Sequence, residues 1–306
     1  MVSKQNSVLI TGATGLIGRQ LCAKLLRQGV SVHFLSRSKT EIEGCEGFLW
    51  DVSAQKMDAK ALEGVTSIIH LAGAGVGDHR WTKRYKETIY NSRIESTKLL
   101  VNTLKSLDHK VSSFISAGAV GYYDDCGDNW ISEDAVMAEE FIARLCRDWE
   151  VEGQKVEEMG IRYAALRIGL VLSRKAGFLP KTTMTLPLRM LCYFGNGAHY
   201  YAWIHEKDVV DLFLHAINEP AVQGIYNAVA PNPVPQKTML RELRNVLGKS
   251  LLILPVPTFA LRIVLGEMAR VVVFSQRVSA QKILDTGFAF SFDKVNEAFQ
   301  DLYTEK

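Results

Sequence analysis

The chain has 306 residues, of which 47% are hydrophobic and 23% are charged, a composition typical of a globular protein with one large domain or two closely joined ones. Lys and Arg number 36 and Asp and Glu number 33, so the formal net charge is only +3. This even balance gives the whole protein little attraction for nucleic acid or for an anionic membrane, and neither partner is expected.

Short apolar runs alternate with helix-length segments through the first half of the chain. Buried strands are predicted over residues 8–10, 32–35, 67–71, 114–116 and 163–172. Amphipathic helices are predicted over residues 16–28, 82–107 and 139–159. This alternation predicts an α/β fold in which a doubly wound parallel sheet is covered by helices on both faces.

The second half of the chain is richer in loops. It predicts a helix over residues 208–218 and a strand over residues 224–227, followed by three closely spaced prolines and a mainly helical remainder. We therefore expect a nucleotide-binding domain over residues 1–172, with contributions from about 203–230. Residues 173–306 are expected to form mainly a smaller, C-terminal lobe that holds the substrate.

Metal sites, disulfides and membrane spans are not expected. The five cysteines (Cys22, Cys45, Cys126, Cys146 and Cys192) form no CxxC pair and no cluster with zinc-ligand spacing. The first seven residues lack the apolar core of a signal peptide. Prolines and charges interrupt the apolar stretch 251–274, which predicts a core helix with its approach loop. A cytoplasmic protein is the resulting prediction.

The most informative motif is a glycine-rich turn between the first predicted strand and helix. It reads Thr11-Gly12-Ala13-Thr14-Gly15-Leu16-Ile17-Gly18. In a dinucleotide-binding turn the first glycine permits the tight turn, the second lets a pyrophosphate approach, and the third permits close helix–strand packing. The predicted phosphate-binding residues are Gly12, Thr14, Gly15, Leu16, Ile17 and Gly18. The alternative is a tight turn without a ligand.

The residues after the second strand favour NADP over NAD. An NAD site ends this strand in an acidic residue that binds the ribose 2′-hydroxyl, whereas this chain has Ser36-Arg37-Ser38. A guanidinium flanked by hydroxyls suits a 2′-phosphate, although an ordinary exposed arginine is the alternative. Asp51, at the end of a third predicted strand, is a candidate acceptor for the adenine amino group or, alternatively, a turn residue.

Together, several motifs resemble the extended short-chain dehydrogenase/reductase superfamily, and more closely its atypical "epimerase family" branch. Besides the glycine-rich turn, they are residues 71–74, 80–82, 91–97, 116–123, 166–172, 203–208, 265–269 and 286–288. The resemblance implies a Rossmann-like fold, an NADP(H) cofactor, and oxidoreductase or epimerase activity on a small carbonyl, alcohol or nucleotide-sugar substrate. It also implies that residues 173–306 include a C-terminal domain specific to this branch.

The resemblance also implies cofactor contacts for individual residues. Ser36 and Arg37 would hold the 2′-phosphate. Leu71 and Ala72 would pass along the middle of the cofactor. The neighbouring Ser38 and Gly73 are also predicted to contact the cofactor. Arg93 would contact the cofactor where the wider superfamily has an asparagine, and Val171 would lie beside the nicotinamide. For Arg93 the alternative is an arginine on a helix surface.

The catalytic pattern of the superfamily is absent. Classical members use a Tyr with a Lys four residues later, on the same face of a helix, and none of the ten tyrosines here has that lysine. Alignment on Glu150 places Ile142 and Cys146 at the two positions, and the usual serine position holds Gly118 or Ala117.

Two functional hypotheses follow. In the first, Tyr122, Tyr123 or His205 replaces the missing acid, and Ser116 orients a substrate oxygen. The alternatives are that the tyrosines form a pocket wall and that His205 makes a structural bond at a helix start. In the second, the protein is a non-catalytic NADP(H)-binding redox sensor or partner-binding module. A protein partner or a homodimer is compatible with either hypothesis.

Overall fold

The computed structural model describes residues 7–304, except for the side chains of Arg270 and Val271, so the first six residues of the predicted domain lie outside the described part. The strands are β1 (Ser7–Thr11), β2 (Ser31–Ser36), β3 (Glu46–Asp51), β4 (Lys56–Met57), β5 (Val65–His70), β6 (Ser113–Ala119), β7 (Trp130–Ile131), β8 (Arg162–Ile168), β9 (Leu170–Leu172), β10 (Met190–Phe194), β11 (Tyr200–Tyr201), β12 (Trp203–His205), β13 (Gly224–Ala228), β14 (Val234–Pro235), β15 (Leu252–Val256) and β16 (Arg277–Val278). The α-helices are α1 (Leu16–Arg27), α2 (Lys83–Ser106), α3 (Phe141–Gln154), α4 (Phe178–Thr183), α5 (Glu206–Asn218), α6 (Gln236–Leu247), α7 (Thr258–Leu265), α8 (Met268–Val272), α9 (Gln281–Leu284) and α10 (Val295–Tyr303).

The main sheet has eight strands in the order β13-β8-β6-β5-β1-β2-β3-β4. Its strands are parallel except for the antiparallel pair of β3 and β4 at one edge. The order reverses on the two sides of β1, which is the doubly wound, Rossmann-type topology that the sequence predicts. The carboxyl ends of β1, β2, β5 and β6 therefore meet at one edge of the sheet.

Two apolar cores cover the two faces of this sheet. One includes Leu21 and Leu25 of α1 together with Leu212 and Phe213 of α5. The other includes Leu99 and Leu104 of α2, packed against strand residues such as Ile68 and Phe114. Strands buried on both faces read as continuous apolar runs, which is why the sequence pattern located them well.

The predicted strand over residues 163–172 is wrong in one respect, because it is broken at Gly169. A Cβ atom on Gly169 would lie 2.5 Å from the carbonyl oxygen of Ala202, so only glycine permits the close approach of the two chain segments. Beyond this point the chain leaves β13, and β9 pairs instead with β12. The break therefore separates β9, with Val171, from the hydrogen-bonded ladder of the main sheet.

The second half of the chain does not form a separate contiguous body, because α5 and β13 return to the main sheet after residues 173–202. The predicted domain boundary at residue 172 stays a prediction.

Residues 251–274 hold β15, α7 and α8, so the expectation of a core helix is wrong. Within α7 only one side is covered, because Leu261 is buried whereas Phe259, Ile263 and Val264 are exposed. No helix among residues 7–304 has the length and apolarity needed to cross a bilayer.

Candidate functional site

The glycine-rich turn lies between β1 and α1 at the carboxyl edge of the main sheet. Gly12 has a φ of +71°, a left-handed conformation that glycine adopts without strain. A Cβ on Gly18 would lie 2.3 Å from the Gly12 carbonyl oxygen, so helix and turn pack too closely for any side chain. Gly15 begins the helix and has no capping side chain, and the first turn of α1 contains no acidic residue. The helix start is therefore open and suited to an anion.

A chain of buried hydrogen bonds supports this turn from below. The Oγ1 atom of Thr11 accepts hydrogen bonds from the backbone N–H groups of Leu71 and Ala72, both at 3.1 Å, so its own proton goes to Nδ1 of His70 at 2.7 Å. His70 Nε2 then donates to Thr97, whose hydroxyl donates to the Arg93 carbonyl oxygen. Burial, together with the charge of Arg93, lowers the pKa of His70 to about 3, so the ring is neutral.

The loop after β2 is held by its own hydroxyl groups. The Ser36 and Thr40 hydroxyls are 3.2 Å apart, and Thr40 also donates to the Ser38 carbonyl oxygen. Arg37 is exposed at the tip of this loop. Asp51 accepts hydrogen bonds from the N–H groups of residues 53 and 54, so one of its oxygens closes the turn after β3.

Residues 71–74, which follow β5, lie between the glycine-rich turn and α2. The Leu71 carbonyl group lies close to Gly12: a Cβ atom on Gly12 would be 3.0 Å from the Leu71 carbonyl oxygen. Arg93 donates to the Ala74 carbonyl oxygen at 3.0 Å, and its guanidinium stacks 5.2 Å from the ring of Trp149. Gly73 packs directly against this guanidinium, since a Cβ on it would be 2.8 Å from Arg93 Cζ. Arg93 is therefore fixed beside the loop at the sheet edge and is not a free arginine on a helix surface.

A second buried network joins β8, α3 and the segment after β6. Arg167 makes a two-pronged ion pair with Glu150 at 2.7 and 2.8 Å, and also donates to the Tyr123 hydroxyl. The Tyr123 hydroxyl donates in turn to Asn227, and burial raises its pKa to about 12. Tyr123 is 1% exposed, so these contacts place it inside the network and away from the open edge.

Tyr122 has a different environment from its neighbour. Its half-buried ring covers the Arg167 guanidinium, whose Cζ lies 3.6 Å from the ring centroid. Within residues 7–304 its hydroxyl makes no hydrogen bond, whereas every hydrogen-bonding function of Tyr123 is used. Of the two tyrosines, Tyr122 is the one with a free hydroxyl.

Ser116, and the two α3 residues that replace the usual Tyr and Lys, offer little acid–base capacity. Ser116 is 1% exposed inside β6, three residues before the strand ends, and its hydroxyl donates to the next carbonyl oxygen. Ile142 packs against Gly121, and Cys146 is buried between Arg93 and the Arg167–Glu150 pair. Burial raises the pKa of Cys146 to about 12, which keeps its thiol protonated.

His205 caps α5, as the structural alternative for this residue predicts. It is buried, and its Nδ1 atom accepts a hydrogen bond from the backbone N–H of Lys207 at 3.1 Å. Burial lowers the pKa of His205 to about 4, although Asp301 lies 3.3 Å from its Nε2 atom. His205 is thus a neutral helix cap rather than a residue of the open edge.

The loop after β5 also contacts the second half of the chain. Lys181, in α4, donates to the Gly77 carbonyl oxygen, and Lys86 pairs with Glu267. A cavity of about 470 Å³ adjoins the Lys86–Glu267 pair; its walls are Trp81, Lys83, Lys86, Glu87, Tyr90, Asn91, Phe141 and Glu267. Among the described residues no group of His, Cys, Asp or Glu side chains is arranged to hold a metal ion.

The predicted cofactor residues thus lie along one edge: the glycine-rich turn, the loop after β2, and the segment after β5 with Arg93. Val171 is half-buried in β9, beside Ile204 of β12, and packs against the apolar core on one face of the main sheet. Sequence reasoning missed the supporting residues Thr11, His70 and Thr97. A histidine at the end of an otherwise apolar strand was the available signal, since a buried histidine needs partners.

Comparison with known families assigns most of the chain to a family. Residues 8–228 match the profile of the NAD dependent epimerase/dehydratase family, and residues 256–302 match a domain of unknown function, DUF1731. The chain belongs to the NAD-dependent epimerase/dehydratase family. This membership confirms the resemblance to extended short-chain dehydrogenases/reductases, and it agrees with the dinucleotide class of ligand predicted from the glycine-rich turn.

Relatives of the chain extend over nearly its whole length. An epimerase family protein SDR39U1 homolog of Arabidopsis thaliana, named as chloroplastic, is 33% identical over 97% of this chain and 86% of its own length. Epimerase family protein YfhF of Bacillus subtilis is 32% identical over 98% of this chain and 99% of its own length.

Solved structures agree with the fold. Human epimerase family protein SDR39U1, crystallised with NADPH, superposes with a TM-score of 0.85 at 24% identity, over 97% of this chain and 98% of that one. A nucleoside-diphosphate sugar epimerase from Corynebacterium glutamicum gives a TM-score of 0.77 at 28% identity, over 97% of this chain and 58% of that one.

Proposed function

We propose that the protein binds NADP(H) along the carboxyl edge of its main sheet and is an oxidoreductase or epimerase-like enzyme for a small carbonyl, alcohol or nucleotide-sugar substrate. The observation that carries the binding proposal is the open glycine-rich turn at the start of α1, where no side chain or acidic residue blocks a phosphate. The NADPH in the structure of the human relative supports the same cofactor.

The choice of NADP(H) over NAD(H) rests on the loop after β2. Arg37 is exposed directly after the strand, with the hydroxyls of Ser36 and Thr40 beside it, and no acidic residue occupies the place that recognises a 2′-hydroxyl. In this arrangement Arg37 donates to the 2′-phosphate, Gly12 to Gly18 surround the pyrophosphate, and Leu71 to Gly73 lie along the cofactor's middle.

Calorimetric titration with NADPH and NADH tests the binding proposal. The Arg37→Ala variant is expected to bind NADPH roughly 10- to 100-fold more weakly, because a charge-assisted hydrogen bond is lost, and to bind NADH as before. Lys39→Ala, which removes an exposed cation from the same loop, is the matched control and is expected to bind both as the wild type does. A wild-type protein that binds neither nucleotide would overturn the proposal.

The chemistry is proposed to depend on Tyr122. When bound, NADPH supplies a hydride to an electrophilic carbon, and the substrate oxygen then needs a proton. Tyr122 is the tyrosine with a free hydroxyl, and the Arg167 guanidinium beneath its ring holds it in place. Ile142 and Cys146 supply no acid from α3, which favours the alternative of a non-catalytic NADP(H) sensor or partner-binding module.

NADPH oxidation with a panel of carbonyl compounds separates the two functions. If Tyr122 is the proton donor, Tyr122→Phe loses turnover by roughly 100-fold or more, the range of general acid catalysis, while NADPH affinity is unchanged. Tyr90→Phe, which loses a hydroxyl that donates to Asp148 between α2 and α3, serves as the control and is expected to keep its rate. Full activity in Tyr122→Phe would exclude Tyr122, and a wild-type protein that binds NADPH but turns over no compound would support the sensor.

A further inference from the structure

The charges of the chain are distributed unevenly. Residues 173–205 and 243–266 contain seven of the 36 Lys and Arg residues and none of the 33 Asp and Glu residues. These two segments meet in the structure, because β10 pairs in parallel with β15. The net charge of +3 for the whole chain therefore conceals a strongly cationic region balanced by acidic residues elsewhere.

The same region exposes large apolar side chains. We call it the cationic apolar face, formed by Met184, Leu188, Leu252, Leu254, Phe259, Ile263 and Val264 together with Lys181, Arg189, Lys249 and Arg262. Met184, Leu188, Phe259, Ile263 and Val264 are each between 68% and 73% exposed, and Leu252 is 63% exposed. Side chains exposed to this degree project from the surface. A cluster of them marks an interaction surface, unlike a single exposed leucine.

Hydrogen bonds show that this face is continuous. The backbone N–H of Leu252 donates to the Arg189 carbonyl oxygen at 3.0 Å, and the guanidinium of Arg189 reaches the Ser250 carbonyl oxygen. The Thr185 hydroxyl, next to Met184, donates to the carbonyl oxygen of Met190, which lies opposite Leu252 in the register. Pro257 alone separates β15 from α7, so Phe259 and Ile263 follow directly.

We propose that the cationic apolar face binds the surface of an anionic lipid bilayer. Apolar side chains that project between Lys and Arg residues insert at the headgroup level, while the cations contact anionic headgroups. No described helix could cross the bilayer, so the association is peripheral. The face lies on the same side as the loop after β5, since Gly266 at the end of α7 packs against Arg80.

Charge complementarity argues against a second copy of the chain as the occupant. In a twofold-symmetric dimer the same patch faces itself, so four cations would meet four cations with no acidic residue to pair with. Glu267, the first acid after α7, is already paired with Lys86. An anionic partner fits this charge, and projecting apolar side chains suit a fluid lipid surface better than a folded acidic protein.

Co-sedimentation with lipid vesicles tests this proposal. The full chain is expected to bind phosphatidylcholine vesicles that contain about one-third phosphatidylserine, and to bind pure phosphatidylcholine weakly, with binding to the anionic vesicles falling as salt rises. Arg189→Gln and Arg262→Gln are each expected to reduce binding roughly fivefold. Phe259→Ser with Ile263→Ser is expected to reduce binding at every salt concentration, because the inserted apolar area is lost.

Val136→Ser with Val151→Ser provides the matched control, since these valines are 87% and 55% exposed outside the face. This variant is expected to bind like the wild type. Wild-type protein that ignores anionic vesicles overturns the proposal, and so does equal binding to both kinds of vesicle. A dimer that the Phe259→Ser and Ile263→Ser changes convert to a monomer would assign the face to a second copy. Binding to an acidic peptide but not to vesicles would assign it to a protein.

Discussion

Arg167 illustrates how one buried charge organises the residues around it. Burial by itself would lower the pKa of Arg167, but its hydrogen bonds and charge contact with Glu150 raise it above its ordinary value. Its Nη1 atom donates to the Tyr123 hydroxyl and to the Glu133 carbonyl oxygen, and the ring of Tyr122 covers the guanidinium. The acid–base candidate and the sheet are therefore joined through a single side chain.

Removal of Arg167 is expected to be costly. The Arg167→Met variant should lose about 3–5 kcal/mol of unfolding free energy in urea titrations, because Glu150 then remains buried without a partner. The double variant Arg167→Met with Glu150→Gln should recover part of this loss, since it leaves no buried charge. Lys105→Met, at the exposed Lys105–Glu158 pair, should leave the urea concentration at the midpoint of unfolding unchanged. A double variant as unstable as the sum of its single variants would contradict this account.

At the scale of elements, His70 ties β1, β5 and α2 together beneath the glycine-rich turn. Its two nitrogens have different roles, because Thr11 donates to Nδ1 while Nε2–H donates to Thr97. This arrangement needs the neutral ring, and the ring has no exposed surface through which a proton could be hydrated. The position of the segment after β5 therefore depends on the protonation state of one histidine.

The stability of the protein should consequently depend on pH through His70. The folded-state pKa of about 3 is below the ordinary 6.5, so between these values the unfolded chain binds a proton that the folded protein does not. The contribution of neutral His70 to the free energy of unfolding is therefore fully present above pH 6.5. It falls by about 1.4 kcal/mol per pH unit as the pH decreases towards 3.

The test compares unfolding free energies between pH 4.5 and 6. The His70→Gln variant should be less stable than the wild type at neutral pH. Its free energy of unfolding should also fall less steeply with decreasing pH, and the two slopes should differ by about 1.4 kcal/mol per pH unit. His205, whose pKa is also lowered, contributes equally to both proteins. An identical slope in His70→Gln would show that His70 is not buried as a neutral ring.

At the scale of the whole molecule, the chain passes between the main sheet and the remaining elements more than once. Residues 173–202 leave the sheet, α5 and β13 return to it, and the chain then leaves again through β14. The segments 173–205 and 243–266 are brought side by side by the pairing of β10 with β15. A surface property that no single segment possesses, cationic and apolar together, arises from this pairing.

The sequence by itself determined the doubly wound sheet, the glycine-rich turn and the positions of α1 and α2 to within a residue or so. These features depend on local patterns: apolar runs for strands buried on both faces, helical periodicity, and glycines at a left-handed or crowded position. The same reasoning placed Arg37 beside the strand end, because that residue follows β2 directly in the chain.

Only the tertiary structure decided which residues meet across the chain. Glu150 and Arg167, Thr11 and His70, and Leu252 and Met190 are paired by strand order and helix packing, which no local pattern encodes. Residues 251–274 show the consequence: their apolarity suggested a buried helix, yet the fold leaves one side of α7 without a covering element. Hydrophobicity sets the preference of a segment for burial, but burial itself requires a second segment, and the topology supplies or withholds that partner.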